Sequence, residues 1–367
     1  MMKRTLRGRR TPGLVRQGSS RAADGLAESL AMLQRRHPEA VLQLPFWPRP
    51  AQPGFLALAA FQADILAIGD GAGGNPAIAR IRFQWWRDAI DGCFHPPQHT
   101  SHPLIQALQP LIAQHRLSKY YFTRIINAAE SHCLDPRFAH LDALAAHSRS
   151  TTYAGLALLA QLLTSTAGPA DVPLGTLDHA LAHLATFLTV VRLLKRMPFY
   201  VRHRQTHIVP PELLECPDEA LLRLFSPRRP ADEELQQPAA RSLLNLVFLA
   251  WSELVAAREV ISLDPSHRHS APADFRAHKN AAAIHSHIFS RRAPLARASV
   301  QPGLVPLFLA ATPARSQLSR ISKIILHAGN TDKNGRNRIG ELIDGVARKP
   351  DWTVPFKLWF DYCFNKL

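Results

Sequence analysis

Apolar residues recur along most of this chain in segments of helical length, separated by breaks rich in proline and glycine. Their spacing of three and four residues marks one face of a helix. Ala, Leu, Gln and Arg dominate and β-branched runs are few, so local preference agrees with the spacing. The pattern predicts helices over 23–36, 54–68, 76–94, 103–115, 119–133, 142–166, 174–199, 217–225, 238–260, 274–289 and 305–315. Breaks fall at Pro45, Pro48, Pro50 and Pro53, at 71–74, at Pro96 and Pro97, and at 227–230. Pro76 opens its helix, where a missing N–H costs nothing. Segments 156–163 and 184–194 are apolar nearly all round, as befits the inside of an all-α domain. No internal period of roughly 20 to 50 residues recurs, which argues against a solenoid. Residues 24–320 therefore read as a single large all-α domain. Beyond them come a short helix over 321–327, a polar Gly/Asn/Lys/Arg loop and an aromatic-rich end, so 321–367 reads as an appendage of unassigned structure.

Composition narrows this picture. With 367 residues, 46% of them hydrophobic, the chain has material for a large buried core and is not of the disordered class. No run reaches the roughly 18 uninterrupted apolar residues of a membrane span; the longest candidate, 243–257, carries Asn245, Ser252 and Glu253. Cys93, Cys133, Cys216 and Cys363 lie far apart without a CxxC, which fits a reducing compartment better than a disulfide scaffold or zinc ribbon.

The net charge of +16 is unevenly placed. Lys3, Arg4, Arg7, Arg9, Arg10, Arg16 and Arg21 all precede the first acid, Asp24, among Thr5, Thr11, Ser19 and Ser20. An Arg-rich, hydroxyl-containing, acid-free opening has the composition of a mitochondrial targeting segment, expected here over 1–23, with a basic tail or nucleic-acid arm as the other reading. Without those seven cations the body carries +9 by the same count. Its aromatics are not interleaved with cations, and no helix-turn-helix, zinc-finger or RNP signature occurs, so no nucleic-acid partner is expected.

Five segments in succession bring a family into view: LALAAFQADILAIGD (56–70), RIRFQWWRDAI (80–90), HPLIQAL (102–108), TTYAGLALLAQLL (151–163) and LATFLTVVRLLKRMPFYVRHRQTHIVPPELL (184–214). In order and spacing they resemble successive elements of the squalene/phytoene synthase family. Within it the likeness is to the mitochondrial complex I assembly factor 6 branch. It is carried by Leu194-Lys195-Arg196-Met197-Pro198-Phe199, by His207-Ile208-Val209-Pro210, and by Ile288-Phe289 with the apolar run 304–309. The resemblance implies an isoprenoid-synthase-like helical domain around a central cavity. It also implies a peripheral place on the matrix side of the mitochondrial inner membrane, and complex I subunits or assembly intermediates as partners.

Catalytic members of that family hold Mg²⁺ between two Asp-rich helical motifs, because the ion wants carboxylate and diphosphate oxygens in an octahedron and stabilises the leaving group. Aspartates four apart share one helix face. Aligned on Phe61, the first pair falls at Leu66 and Asp70, and Asp64 nearby belongs to a different face. The second motif falls on Arg192, Lys195, Arg196 and Tyr200. The resemblance therefore implies a non-catalytic protein acting in complex I assembly, with no catalytic residue, metal or cofactor. The alternative is an active prenyltransferase of the squalene or phytoene synthase type, with Mg²⁺ and a divergent site.

Asp70, Arg87, Arg192, Lys195 and Arg196 are the candidate pocket- or phosphate-facing residues, for an isoprenoid or lipid ligand held by arginine rather than metal. The plainer reading of the three α-helical cations is a solvated helix end, favoured by the C-terminal dipole and closed by Pro198. Asp88 and Asp91 read as a solvated edge, and Trp85 and Trp86 as core anchors. His267, His269, His278, His285 and His287 lack organised ligand spacing. The stretch 330–341 has EF-hand-like spacing, but Asn330 leads it, Ile339 is out of place and cations crowd it, so it reads as an ordinary loop.

Overall fold

Helix follows helix from Pro12 to Cys363 in the computed structural model, which describes residues 12–71, 75–95, 101–169, 171–225, 233–262, 300–326, 339–349 and 351–365. The elements are α1 (Pro12–Arg36), α2 (Pro38–Val41), α3 (Gln52–Gly71), α4 (Pro76–Phe94), α5 (Pro103–His115), α6 (Lys119–Leu134), α7 (Leu141–Ser150), α8 (Thr152–Ala167), α9 (Leu174–Arg204), α10 (Asp218–Leu224) and α11 (Glu233–Ile261). After them come α12 (Val305–Phe308), α13 (Ala311–Leu326), α14 (Ile339–Arg348) and α15 (Val354–Cys363). No strand occurs among the described residues.

Two apolar helices organise the packing. α3 buries Phe55, Phe61 and Ile65 and is enclosed by α1, α5, α6 and α8; α9 buries Leu184, Phe187 and Val190 and is enclosed by α7, α8, α11, α13 and α14. Enclosure on several sides demands apolar residues on several faces. For that reason both helices are long and apolar enough to cross a membrane, although neither is an uninterrupted apolar run. More than half of each apolar window is buried against neighbouring helices.

Local chemistry sets the ends. Asn75 caps α4, its side-chain oxygen accepting from Ala77 N at 2.9 Å, with Pro76 in the first turn. On α1, Gly25 allows close approach to α5: a Cβ there would stand 2.1 Å from the Pro103 carbonyl oxygen.

Two departures from the sequence pattern have physical causes. The segment 142–166 is two helices, split at Thr151, whose hydroxyl donates to His147 O at 2.8 Å, while Thr152 and Thr189 hydroxyls meet at 2.6 Å. Such side-chain bonds compete with the helical ladder. Conversely, α9 does not stop at Pro198 but runs to Arg204, ending at Gln205 with φ 51°. Proline there leaves one carbonyl without its usual donor, and burial of Met197, Pro198, Tyr200 and Val201 holds the helix together.

Both expected boundaries fall inside helices, at 23/24 within α1 and 320/321 within α13. Ile339, Ile343, Val346, Val354 and Leu358 belong to the same apolar core as the body; α14 packs on α9 and α13, and α15 on α13. The predicted helix 274–289 and the break at 227–230 lie outside the described residues, as do Lys3 to Arg10.

Candidate functional site

Asp70 stands in the last turn of α3, and Arg192 and Arg196, four apart, share one face of α9. Arg196 Nη1 donates to Asp70 Oδ2 at 2.8 Å while its Nη2 donates to Oδ1, so both carboxylate oxygens are taken. This two-pronged pairing is the geometry guanidinium favours. The pair is half-buried, and the guanidinium also lies over the Phe199 ring at 4.9 Å and the Tyr200 ring at 5.6 Å. Burial works to lower the Arg196 pKa, but hydrogen bonds and charge from Asp70 and Tyr200 together outweigh it and raise the value, so the charge is firmly fixed.

Behind the pair stands a polar wall from α6 and α7. Tyr200 Oη and His132 Nε2 are 2.9 Å apart; the His132 ring stacks on Phe138 at 5.2 Å and lies 4.5 Å from the His147 ring. Burial, then Arg192 and Arg196, push His132 down to about 3. Burial, His132 and Arg192 push His147 well below its ordinary value. Both imidazoles are therefore neutral. Arg192 is lowered to about 10 by burial and by Arg196, against an opposing pull from Tyr200. It has no ion pair or hydrogen bond to another described residue.

The other expected residues are committed elsewhere. Lys195 reaches α2, with Nζ 3.6 Å from Glu39 Oε1. Arg87 clamps α4 to α6, donating from Nε to Asn127 Oδ1 at 2.9 Å and from Nη2 to Glu130. The structure thus brings Asp70, Arg192 and Arg196 together and gives Arg87 and Lys195 structural partners. The solvated-helix-end reading does not hold for the α9 cations. The helix continues past them, and Arg202, His203 and Arg204 fill its final turn instead.

The four aspartate positions of the two motifs hold Leu66, Asp70, Arg196 and Tyr200, and the one carboxylate among them is occupied by a guanidinium. Among the described residues no group of three His, Cys, Asp or Glu converges on a metal position. These residues do not fit a magnesium–diphosphate cluster, which needs several free carboxylate oxygens. Asp64 does not replace them: it lies 3.8 Å from Arg36, with its pKa raised by burial.

Residues the sequence did not single out complete the wall: His132, Phe138 and His147 carry no motif, and only proximity in the fold identifies them. The tryptophans divide. Trp86 is buried, edge-on to Phe61 at 5.6 Å, whereas Trp85 is 41% exposed beside His102, because successive residues point to different sides of α4. Asp88 and Asp91 lie on an exposed edge, bound by Gln84 and Lys119. The five histidines 267–287 and the loop 330–338 lie outside the described residues. A separate pocket of about 140 Å³ opens where α8 ends, lined by Leu163, Thr164, Leu177, Gln301 and Leu304 among others; none of the five candidate residues touches it.

The profile of the squalene/phytoene synthase family matches residues 33–303. The "NADH dehydrogenase (ubiquinone) complex I, assembly factor 6 homolog" of Drosophila melanogaster is 27% identical over 197 residues, 52% of this chain and 55% of that protein. The assembly factor 6 of Rattus norvegicus is 28% identical over 211 residues, 55% of this chain and 60% of that protein. The chain thus spans little more than half the length of these curated relatives. A crystal structure of a dehydrosqualene synthase in complex with ligand superposes with a TM-score of 0.50 at 11% identity, covering 90% of this chain and 97% of that one. That likeness shows the fold: an all-α, isoprenoid-synthase-like domain.

Proposed function

The chain belongs to the squalene/phytoene synthase family, and from that premise we propose that it is a member without prenyl-transfer activity that acts in the assembly of mitochondrial respiratory complex I. The observation that carries the loss of chemistry is the Asp70–Arg196 pair, which joins the two motif positions where catalytic relatives would hold metal. A guanidinium in place of a carboxylate reverses the Coulomb interaction with Mg²⁺; at an effective dielectric near 20, unit charges ~4 Å apart interact by about 4 kcal/mol. The assembly role is supported by the relatives, whose names state it.

On this reading residues 1–23 direct the chain to mitochondria, and it works without a metal cofactor. It sits peripherally on the matrix side of the inner membrane, with complex I subunits or assembly intermediates as partners. Arg192, with its donors unspent beside Tyr200 and two neutral imidazoles, suits the phosphate of an isoprenoid or lipid ligand.

The test of lost chemistry is direct. Purified protein incubated with farnesyl or geranylgeranyl diphosphate and Mg²⁺ yields neither squalene nor phytoene. Formation of either product would overturn the reading in favour of an active prenyltransferase with a divergent site.

A further inference from the structure

α15 is apolar on two opposite sides. Val354, Leu358 and Asp361 turn inward and are buried, with α13 the helix they pack against. On the far side Phe356, Trp359 and Phe360 are 68%, 58% and 40% exposed, and Trp352, just before the helix, is 78% exposed. Phe364 adds another open ring, while the half-exposed Tyr362 rests against Phe46 at 5.1 Å. A helix apolar all round belongs in a core or against lipid, yet this one lies at the surface. Contiguous exposed apolar patches mark interaction sites.

The composition of the patch and its surrounding charge select the occupant. Its residues are aromatic rather than aliphatic, and Trp and Tyr are the side chains that favour the boundary between hydrocarbon and headgroups. The only acids between 349 and 365 are turned inward. Asp351 accepts from Thr353 Oγ1 at 2.6 Å, from Lys357 at 3.2 Å and from Ser316; Asp361 accepts from Thr312 Oγ1 at 2.6 Å and Arg315 at 3.1 Å. Lys349, three residues ahead of Trp352 in the chain, is exposed, and the chain outside residues 1–23 carries +9. An aromatic face in a basic chain, with both aspartates of its own segment turned inward, complements an anionic phospholipid surface.

We propose that the outer face of α15, together with Trp352, is a membrane-docking face that lies in the headgroup region of an anionic bilayer with the helix axis along the surface. The face lies beyond the residues matched to the family, 33–303. It names the contact through which the peripheral placement proposed above is made, and rests on that reading only for which membrane is met.

The test uses the full chain and sedimentation with vesicles of phosphatidylcholine, with and without phosphatidylglycerol. Wild type binds the anionic vesicles, and lipids brominated on their acyl chains quench its tryptophan fluorescence. Phe356→Ser/Trp359→Ser/Phe360→Ser loses about tenfold or more in partitioning while keeping a cooperative thermal melt, since Phe356 and Trp359 are mostly exposed. Trp85→Ser, which removes an exposed ring elsewhere, binds as wild type. All three proteins carry the same basic leader, so differences between them report the aromatic face. Equal binding by the triple variant would overturn the proposal, as would absence of wild-type binding. A wild-type dimer that the triple variant abolishes, with no change in vesicle binding, would assign the face to a second copy instead. None of these failures touches the prenyl-transfer assay above.

Discussion

Asp70 and Arg196, at the ends of α3 and along α9, are joined through both carboxylate oxygens. The surviving acid of one motif position is thereby neutralised by the base at the other. What would be a metal-bridged gap in a catalytic relative is here closed by protein alone.

The pair should contribute measurably to stability. Exposed ion pairs are worth ~0–1 kcal/mol, and breaking buried ones costs ~3–5 kcal/mol; this half-buried, two-pronged pair should show a coupling energy of about 1–3 kcal/mol. A double-mutant cycle of Asp70→Asn and Arg196→Met, followed by urea unfolding, measures it. A coupling near zero would mean that solvent screens the pair.

Acid should weaken the fold through His132 and His147. Both are held neutral when folded, whereas an unfolded histidine titrates near 6.5. Above about pH 6.5 neither state takes up the proton and the full stability is present. As pH falls below that value only the unfolded chain binds it, so stability drops by about 1.4 kcal/mol per pH unit for each histidine. For His132 the loss continues down to its folded value of about 3. His132→Asn should flatten the slope of unfolding free energy between about pH 7 and about pH 5 by one histidine's share.

Gly25→Ala should destabilise by about 1–3 kcal/mol, because the new methyl meets the Pro103 carbonyl and must part α1 from α5. Gly175→Ala, with nothing within 4 Å of its Cβ, should be neutral or stabilising by up to about 1 kcal/mol from helix propensity alone. Thermal melts of the two variants make the comparison.

Asp361→Asn should loosen the chain's end. The buried carboxylate accepts from Thr312 and Arg315 and lies near the buried Arg258, whose pKa is lowered to about 10 by burial and by Arg315. Removing its charge leaves the mutual repulsion of Arg258 and Arg315 without its nearby counter-charge, at a cost of about 3 kcal/mol. Limited proteolysis should then cut ahead of α15 while the body remains intact.

Most helices were legible in the sequence because enclosure forces apolar spacing: the span 76–94 and the span 103–115 agree residue for residue with α4 and α5. What escaped was decided by tertiary contacts. Thr151 breaks a helix through hydroxyl bonds that its residue type permits but does not require, and Pro198 fails to break one because its surroundings are buried. The candidate site was legible in part. Four-residue spacing put Arg192 and Arg196 on one face, and the family resemblance set Arg196 opposite Asp70. Arg87 and Lys195 shared the same chemistry but met Glu130 and Glu39 instead, partners that no spacing in the chain reveals. The aromatic end stood out in composition, yet only the fold shows which rings turn inward and which stay open.

A role in complex I assembly is read from a native gel of respiratory complexes from source cells lacking the gene, with the gene restored in wild-type form as control. Complex I should be missing or incomplete and return on restoration, with the other respiratory complexes unchanged. Complex I at its normal size and abundance in the deleted cells would contradict it.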